Sequence, residues 1–415
     1  MPPPPARLLA LLATTLVAAG APGPAAAAAE RVRAVEVDGN ERTSRHVIER
    51  ALGVSPGDAV DPDDLSALEQ QVYNLRIFRS VRVRAEREPQ GGVVLRVAVE
   101  ERRTFLLLPL MGASRGAFRV GGALMDTNLL GLRKELVLIG SWSTRGSQAI
   151  ALYRDPGVAQ SRVVVAAEAA LEDVVRERTE GGEGAYSFRD KRADVSVRAG
   201  WLLTPRLALR AGWFGVSEVS EPEPGFAAPP RARPAHGPSA DLEYQGQDYR
   251  DWLNVGPALR ARWREGVPAL GSDRFLRAAL VQGTWAFRVF DGHAASLSTA
   301  LHLGQGDAVL DAVRLGGRPG TRGFDDAGLW AERAATFTAD YQIPIWRPAF
   351  GTLTALGFVD AGVLGYEGRR VSWASPGVGV RLYLRNVALP AIGLDVAQST
   401  TGRGPAGSFF LGFGG

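Results

Sequence analysis

From about residue 104 onward, the chain consists of short segments in which apolar and polar residues alternate. This period of two is typical of β-strands, because successive side chains of a strand point to opposite faces of the sheet. In the segment 195–201, valine, alanine and tryptophan share one face, while Ser196 and Arg198 lie on the other. The segment 206–213 repeats the pattern, again with arginines on the polar face. No stretch after the first 29 residues approaches the roughly 18 apolar residues of a membrane-spanning helix, which argues against a helical membrane protein.

Alternation alone fits both a soluble β-sandwich and a membrane barrel, and three further features favour the barrel. The polar faces are rich in arginine, which a water-filled lumen permits. All nine tryptophans lie between residues 142 and 373, where aromatic girdles at the membrane surfaces would require them. Tight and long connections also alternate along the chain. The predicted fold class is therefore an all-β transmembrane antiparallel barrel, preceded by one small α+β domain.

The segments predict about sixteen barrel strands, an even number that lets the sheet close without edges exposed to lipid. Counted from the first barrel strand, the connections from an even-numbered to an odd-numbered strand should be tight, as at Thr204-Pro205 and Asp291-Gly292. The connections from an odd-numbered to an even-numbered strand should be long, at 174–189, 218–238 and 304–332. The predicted strands are 105–112, 117–126, 133–143, 147–154, 161–173, 190–203, 206–217, 239–247, 254–264, 274–289, 293–303, 333–345, 351–361, 376–385, 391–398 and 408–414.

Residues 1–29 have the pattern of a secretory signal peptide. Arg7 precedes a twelve-residue apolar core, Leu8 to Ala19, and Ala27 to Ala29 offer small residues for cleavage. We therefore expect export from the cytoplasm. The expected division of the chain is a signal peptide at 1–29, a small periplasmic domain at 30–103 and a barrel at 104–415.

The small domain is predicted to have the order β-α-α-β-β. Thr43 is expected to cap the first helix. Asp61 is expected to cap the second, with Pro62 in its first turn. Leu68 and Val72 then fall on one face at helical spacing, and two alternating strands follow. This pattern describes a small exported α+β domain.

Several motifs in this domain resemble those of POTRA domains. Gly39 and Asn40 follow the first strand, and Phe78 and Val81 belong to an L-x-x-F-x-x-V junction after the second helix. Val99-Glu100-Glu101 closes the domain. One such unit is recognisable, whereas the best-known assembly factors carry several and two-partner secretion transporters carry two. This difference favours a narrow client or an accessory role.

Two motifs in the barrel are the candidate functional site. A glycine-rich loop, Gly316 to Phe324, carries Arg322, and the strand motif Phe358-Val359-Asp360-Ala361-Gly362 carries a carboxylate expected to face the lumen. Glycines let a loop fold tightly, and an arginine among them can bind a carboxylate with two hydrogen bonds. The loop motif proper is Gly320, Thr321, Arg322, Gly323 and Phe324, and the strand motif is marked by Phe358, Asp360 and Gly362.

These motifs resemble the (V/T)RGF loop and F-x-D-x-G strand of the BamA/TamA outer-membrane assembly and translocation superfamily, the bacterial surface antigen family. The turn Asp126 to Gly131 and the strand 377–382 extend the resemblance. The resemblance implies that the loop folds into the lumen and that Arg322 pairs with Asp360. It also implies a gate between the first and last strands, where Gly412, Gly414 and Gly415 would weaken pairing.

The sequence does not favour an enzyme, a cofactor or a metal site. Gly112 to Gly116 matches G-x-S-x-G but lies where a hairpin turn is predicted, and the four histidines have no metal-ligand spacing. The chain has no cysteine, so it has no thiol nucleophile. Its net charge is +4 without runs of five basic residues, which argues against a nucleic-acid partner.

The leading functional hypothesis is an outer-membrane protein of the BamA/TamA type, with its POTRA domain in the periplasm of a Gram-negative-type bacterium. It would assist insertion or translocation of β-rich clients. Expected partners are outer-membrane lipid, unfolded β-rich polypeptides, and periplasmic accessory proteins or chaperones. Three alternatives stay open: a passive, anion-leaning channel, a two-partner-secretion-like transporter for one client, and a scaffold for a periplasmic partner.

Overall fold

The fold is taken from a computed structural model of the chain. Most of the proposed signal peptide, residues 1–28, lies outside the described residues, as do Asp291, Arg318 and the glycines 412, 414 and 415. The described residues are 29–114, 116–180, 183–250, 252–290, 292–317, 319–384, 390–402 and 404–411.

The small domain is a four-stranded sheet with two helices. Its strands lie in the order β2-β1-β4-β3, with β1 parallel to β4. The predicted β-α-α-β-β order is present, with a two-residue strand added between the helices. The elements are β1 (Glu30–Asp38), α1 (Arg45–Leu52), β2 (Ala59–Val60), α2 (Ser66–Tyr73), β3 (Phe78–Arg87) and β4 (Val93–Glu101).

One apolar core holds this domain together. Ile48 and Leu52 from α1 and Val72 from α2 pack on the alternate, inward residues of the sheet, such as Leu95 and Val97. Each of these side chains is nearly or fully buried. Burial of one such side chain is worth about 1.5–3 kcal/mol, so the periodic apolar residues account for the fold.

The predicted helix caps are wrong. Ser44, rather than Thr43, stands at the start of α1, and it makes no side-chain cap hydrogen bond. The helix α2 begins at Ser66 instead of Pro62. The reason is local: Asp64 accepts hydrogen bonds from the backbone N–H and hydroxyl of Ser66, which also hold the pKa of Asp64 below its usual range. A carboxylate that bonds to its own neighbouring backbone competes with helix formation.

A closed antiparallel barrel of sixteen strands follows, as predicted. The last described strand pairs with the first, which completes the circle. The barrel strands are β5 (Phe105–Ser114), β6 (Ala117–Leu129), β7 (Lys134–Ser143), β8 (Gly146–Asp155), β9 (Val163–Glu180), β10 (Glu183–Thr204), β11 (Leu207–Pro222), β12 (Ala235–Gln245), β14 (Leu253–Gly266), β15 (Leu276–Arg288), β16 (Ala294–Gln305), β19 (Arg333–Trp346), β20 (Gly351–Tyr366), β21 (Arg369–Leu384), β22 (Pro390–Ala397) and β23 (Ala406–Leu411). Three short strands lie in connections: β13 (Asp248–Arg250), β17 (Val313–Leu315) and β18 (Leu329–Ala331).

The largest error in the predicted strands is at 174–189, which is predicted to be a long connection. The strands β9 and β10 extend into it and stay paired as far as Glu180 and Glu183. Opposite charges face each other across these strands: Arg189 pairs with Asp173, and Arg176 with Asp190. The charged residues of this segment therefore stabilise the paired strands.

Outward and inward faces follow the predicted alternation, with one correction. Val195, Val197 and Trp201 are exposed on the outer face, while Ser196 and Arg198 are buried inside. The tryptophans do not all belong to a girdle, because a girdle residue must face outward. Six are exposed, Trp142, Trp201, Trp213, Trp263, Trp285 and Trp346, whereas Trp252, Trp330 and Trp373 are buried. Among the described residues, no helix is long and apolar enough to cross a membrane.

The small domain contacts the end of the barrel that carries the β6–β7 and β8–β9 turns. The N–H of Ser44 donates to the carbonyl oxygen of Gly131 in the β6–β7 turn at 2.8 Å. Arg50 donates to the carbonyl oxygen of Ser161 in the β8–β9 turn at 3.0 Å. The longer connections, including 306–332, therefore lie at the opposite end.

We predict that Gly131→Ala loosens this junction. A Cβ on Gly131 would lie 2.0 Å from the carbonyl oxygen of Arg42, and the φ of Gly131 is 70°, so the backbones must separate. Trypsin should then cut after Arg102 or Arg103 several-fold faster, as measured by mass spectrometry of the fragments.

The matched control is Gly140→Ala in β7, because nothing lies within 4 Å of its Cβ position. Equal cleavage rates in both variants would contradict the assigned junction.

Candidate functional site

The connection between β16 and β19 folds back into the barrel as a hairpin. Its arms, β17 and β18, pair with each other, and the tip between them carries the motif Gly320–Phe324. Thr321 and Arg322 in this tip are each only 3% exposed. Gly320 and Gly323 have φ angles of 89° and 93°, which other residues rarely adopt. The glycines therefore give the tip the tight path that carries Arg322 inward.

Arg322 meets Asp360 of β20 inside the barrel. Its Nε donates to Oδ2 of Asp360 at 2.9 Å, and its Nη2 donates to Oδ1 at 2.7 Å. The backbone N–H of Arg322 also donates to Oδ2, at 2.9 Å. The side chains are 3% and 0% exposed. This two-pronged geometry is the strongest form of an arginine–carboxylate contact, and it fixes both the side chain and the backbone of the tip.

Three further side chains surround the Arg322–Asp360 pair. Asp340 on β19 accepts a hydrogen bond from Nη2 of Arg322 at 3.0 Å. The hydroxyl of Thr338 donates to Oδ1 of Asp360, also at 3.0 Å. The guanidinium carbon of Arg322 lies 3.4 Å from the centre of the Phe358 ring, where the face of the ring attracts the cation. Phe358 of the strand motif therefore supports the arginine directly.

Phe324 and Gly362 meet at a third residue, Trp373 of β21. The ring of Phe324 is edge-on to the indole, with centroids 5.5 Å apart. A Cβ on Gly362 would lie 2.3 Å from that indole, so a side chain there would displace it. Phe324, the last residue of the loop motif, and Gly362, the last residue of the strand motif, therefore both lie against the indole of Trp373.

An apolar cluster holds the base of the same loop at the barrel end opposite the small domain. Leu310 and Trp330 of the loop pack with Phe188 of β10 and Tyr366 of β20. The indole N–H of Trp330 donates to the carbonyl oxygen of Glu177 at 3.2 Å. This cluster covers the long-connection end of the lumen over the width of the loop.

Two of the four POTRA motif residues shape the junction with the barrel, and the other two belong to the core of the small domain. Gly39 has a φ of 83°, and a Cβ on it would lie 2.0 Å from a carbonyl oxygen of β4. The side-chain amide of Asn40 donates to the carbonyl oxygen of Thr43 at 2.9 Å. Phe78 is fully buried in the core, and Val81 packs against that core. The first two residues therefore shape the chain segment that faces the β6–β7 turn.

The turn Asp126–Gly131 supplies the barrel side of this junction. The side-chain amide of Asn128 donates to the hydroxyl of Thr43 at 2.9 Å, and its Oδ1 accepts the N–H of Arg133 at 2.8 Å. Thr43, which was expected to cap α1, instead contacts the barrel.

Sequence reasoning missed Asp340 and Thr338. Both lie on the inner face of the strand after the loop, which alternates Thr336, Thr338, Asp340 and Gln342. The alternation places the carboxylate of Asp340 on the inner face of the strand next to that of Asp360, and this pattern could have identified Asp340 as a second partner of Arg322. A second pair, Arg381 with Asp395 at 2.7 Å, joins β21 to β22 and was also missed.

Comparison with known proteins places these features in a wider context. The POTRA family model, described as surface antigen variable number repeat, matches residues 30–102. The outer membrane protein assembly factor BamA of Neorickettsia risticii (strain Illinois) is 25% identical over 362 residues, which cover 80% of this chain and 47% of that protein. The chain therefore spans about half the length of this curated relative.

Solved structures share the fold. BamA from Haemophilus ducreyi lacking POTRA domains 1–3 aligns with a TM-score of 0.58 and 13% identity, covering 92% of this chain and 84% of that one. CdiB from Acinetobacter baumannii gives 0.60 and 15%, covering 92% and 74%. CdiB from Escherichia coli gives 0.59 and 11%, covering 95% and 93%.

The fold and the site define a class: a transmembrane β-barrel with an inward-folded loop held by a buried ion pair, joined to a POTRA domain. The small domain matches the POTRA family model, the chain is similar in sequence to one curated outer-membrane assembly factor, and its fold is shared with the solved BamA and CdiB structures.

We predict that Arg322→Ala lowers the free energy of unfolding of the refolded protein by about 3–5 kcal/mol, because it leaves the carboxylate of Asp360 buried without its partner. Urea titration in detergent micelles measures this loss.

Arg189→Ala is the matched control, because it breaks an equally short pair with Asp173 that is exposed to solvent. Its loss should be much smaller, since water solvates the remaining charge. Equal losses in the two variants would contradict a buried, energetically coupled Arg322–Asp360 pair.

Proposed function

We propose that the protein assists the insertion or translocation of β-rich polypeptides at the outer membrane, with its small domain in the periplasm. The observation that carries this proposal is the buried Arg322–Asp360 pair. It holds a folded loop inside the lumen, where a passive pore needs open space. The curated relative named as an outer-membrane assembly factor supports the same class of function.

The proposed periplasmic placement of the small domain agrees with the barrel's connections. The small domain lies at the end with the short β6–β7 and β8–β9 turns, and the connection 306–332, which is among the longest, lies at the other end. Membrane barrels commonly have short periplasmic turns and longer external connections.

The seam between β23 and β5 is the proposed site of opening. In the part of the chain that the structure describes, β23 pairs with β5 from Phe409 opposite Ala113 to Leu411 opposite Met111. An opened seam would offer the unpaired backbone of β5 to a client strand. Pairing of this kind uses main-chain hydrogen bonds and therefore has little sequence preference, which suits β-rich clients as a class.

Pro109 removes a backbone donor from the edge of β5 that faces away from β6. The N–H of Thr127 donates to the carbonyl oxygen of Thr104 at 3.3 Å, so the backbone polar groups of Thr104 face β6. The register of β5 and β6 runs without a shift from Phe105 to Ser114. Since backbone groups alternate in direction along a strand, the backbone nitrogen of Pro109 faces away from β6, on the edge that β23 joins at Met111 to Ala113. Proline has no N–H, so this edge of β5 has no donor at that position.

The small domain offers a second place for strand addition. In its sheet order β2-β1-β4-β3, the strand β3 has one edge without a neighbouring strand in this sheet. An extended client could pair there before it reaches the seam. A dedicated client, as in two-partner secretion, fits this route as well as a broader set of clients does.

A passive anion channel is the second candidate, because many arginines line the lumen. Carboxylates accompany them, however: Arg198 pairs with Asp241 at 2.7 Å, and Arg262 with Glu168 at 2.6 Å. Paired arginines give little net positive potential, which weakens the case for anion selection.

We predict that a strain lacking this protein loses one or a few β-rich proteins from its outer membrane or secretions. Wild type and Arg189→Ala should restore them, whereas Arg322→Ala and Asp360→Ala should not. Quantitative proteomics of the outer-membrane and secreted fractions measures this loss. The comparison requires that every variant of the protein is present in the outer membrane at the wild-type level. An unchanged proteome at comparable growth would favour the channel instead.

We also predict that Pro109→Val slows client assembly. The substitution gives β5 one more backbone donor on the edge that faces away from β6. A seam hydrogen bond of about 1 kcal/mol from this donor corresponds to roughly a fivefold lower population of the open seam. Pulse-chase assembly of the client identified above measures the rate.

The matched control is Leu110→Val, whose N–H faces β6 by the same alternation. If Pro109→Val assembles its client as fast as this control, opening at the seam is not limited by backbone pairing.

A further inference from the structure

A short hairpin at the small-domain end of the barrel does not continue the wall. Between β12 and β14 the chain forms β13, which pairs with the first residues of β14, from Asp248 opposite Val255 to Arg250 opposite Leu253. We call the described residues 246–250 and 252–255 the tongue. Tyr249 is 2% exposed and Trp252 is 8% exposed, so these two rings of the tongue are buried although they lie at the mouth of a barrel.

The tip of the tongue reaches a distant part of the wall. The ring of Trp252 lies with its centroid 4.9 Å from that of Tyr383 on β21. The hydroxyl of Tyr383 in turn donates to Oε1 of Gln342 on β19 at 2.9 Å. Along the barrel, β21 is five strands from β14. At the usual spacing, this is roughly 24 Å of wall. The tongue therefore lies across the mouth rather than beside its own strand.

The helix α2 of the small domain holds the tongue from outside. Tyr73 stacks on Tyr249 with ring centroids 5.8 Å apart. Asn74 accepts the N–H of Tyr249 and donates to the carboxylate of Asp248, both at 2.9 Å. Gln70 donates to the carbonyl oxygen of Tyr249 at 3.0 Å. One helical face therefore binds both the backbone and the side chains of the tongue.

The base of the tongue has the features of a hinge. Gly246 donates its N–H to the carbonyl oxygen of Pro257 at 3.0 Å, and Gly256 has a φ of 117°. A Cβ on Gly256 would lie 2.6 Å from the carbonyl oxygen of Gly246. Two facing glycines let the chain bend sharply here and give the backbone more freedom than other residues would.

We propose that the tongue is a gate at the small-domain end of the lumen, kept closed by α2. The small domain holds the tongue through ring contacts and hydrogen bonds, some of them charged: Asn74 donates to the carboxylate of Asp248, and Arg76 donates to Asn254 and lies 5.5 Å from the centre of the Tyr249 ring. Another polypeptide can supply hydrogen-bond partners in place of these. A polypeptide bound to the small domain can compete for this face of α2 and release the tongue. The identity of that polypeptide as a β-rich client rests on the proposed function, whereas the gate itself does not.

The test is the ion conductance of the full chain in planar lipid bilayers, which needs no client. Tyr249→Ala removes the ring stack with Tyr73, and Asn74→Ala removes the hydrogen bonds to Tyr249 and Asp248. Each variant should raise the frequency of open events several-fold. Arg250→Ala is the matched control, since this residue lies on the same hairpin and is exposed. Circular dichroism establishes that every variant is folded. Unchanged conductance in folded Tyr249→Ala would overturn the gate.

A second variant tests closure directly. The chain has no cysteine, so Asn74→Cys with Asp248→Cys introduces one pair that a short thiol crosslinker can join. Crosslinking should suppress open events and client assembly, and cleavage of the crosslink should restore both. Open events that persist after complete crosslinking would contradict the gate. Suppressed conductance with normal assembly would limit the gate to ions and leave the proposed assembly function intact.

Discussion

The arrangement of the last strands depends on one desolvated ion pair. Asp360 has no exposed surface, and its oxygens accept hydrogen bonds from the side chain and backbone of Arg322 and from Thr338. Removal of the arginine would leave a buried charge without compensation, whereas two charges in contact compensate each other. The loop therefore has one favourable position, which brings Phe324 to Trp373 and the base of the loop to its apolar cluster. The pair specifies where a glycine-rich loop, flexible by composition, lies inside the barrel.

Space for this arrangement comes from glycines opposite rings on the inner wall. A Cβ on Gly362 would lie 2.3 Å from the ring of Trp373, and a Cβ on Gly377 would lie 2.3 Å from the ring of Phe358. Because neither position has a side chain, both rings can lie flat along the wall. Phe358 then offers its face to Arg322, so the absence of a side chain on a neighbouring strand contributes to the electrostatics of the pair. Phe358, Asp360 and Gly362 of the strand motif therefore belong to one packed unit.

Alternation predicted the strands well because the two faces of a barrel meet chemically different surroundings. It predicted which face Asp360 occupies, and the motif resemblance predicted its partner. It did not predict that 174–189 forms paired strands, because charged residues there bind each other rather than solvent. It also placed Trp252, Trp330 and Trp373 in the girdle, because composition does not distinguish an inward tryptophan in a connection from an outward one in a strand. The predicted cap at Asp61 is wrong for a local reason, since the carboxylates of Asp61 and Asp64 each accept the backbone N–H two residues further along the chain.

The two ends of the lumen are covered by different kinds of contact, and this difference has a mechanical consequence. At the long-connection end, Leu310, Trp330 and Phe188 form an apolar cluster, whose opening would expose large side chains to water. At the small-domain end, the tongue is held mainly by polar contacts with α2 and the residues that follow it, including the hydrogen bond from Arg76 to Asn254, and another polypeptide can replace these hydrogen bonds. The glycines at its base offer a place to bend. We therefore expect a force transmitted through the small domain to displace the tongue first, while the loop held by Arg322 stays in place.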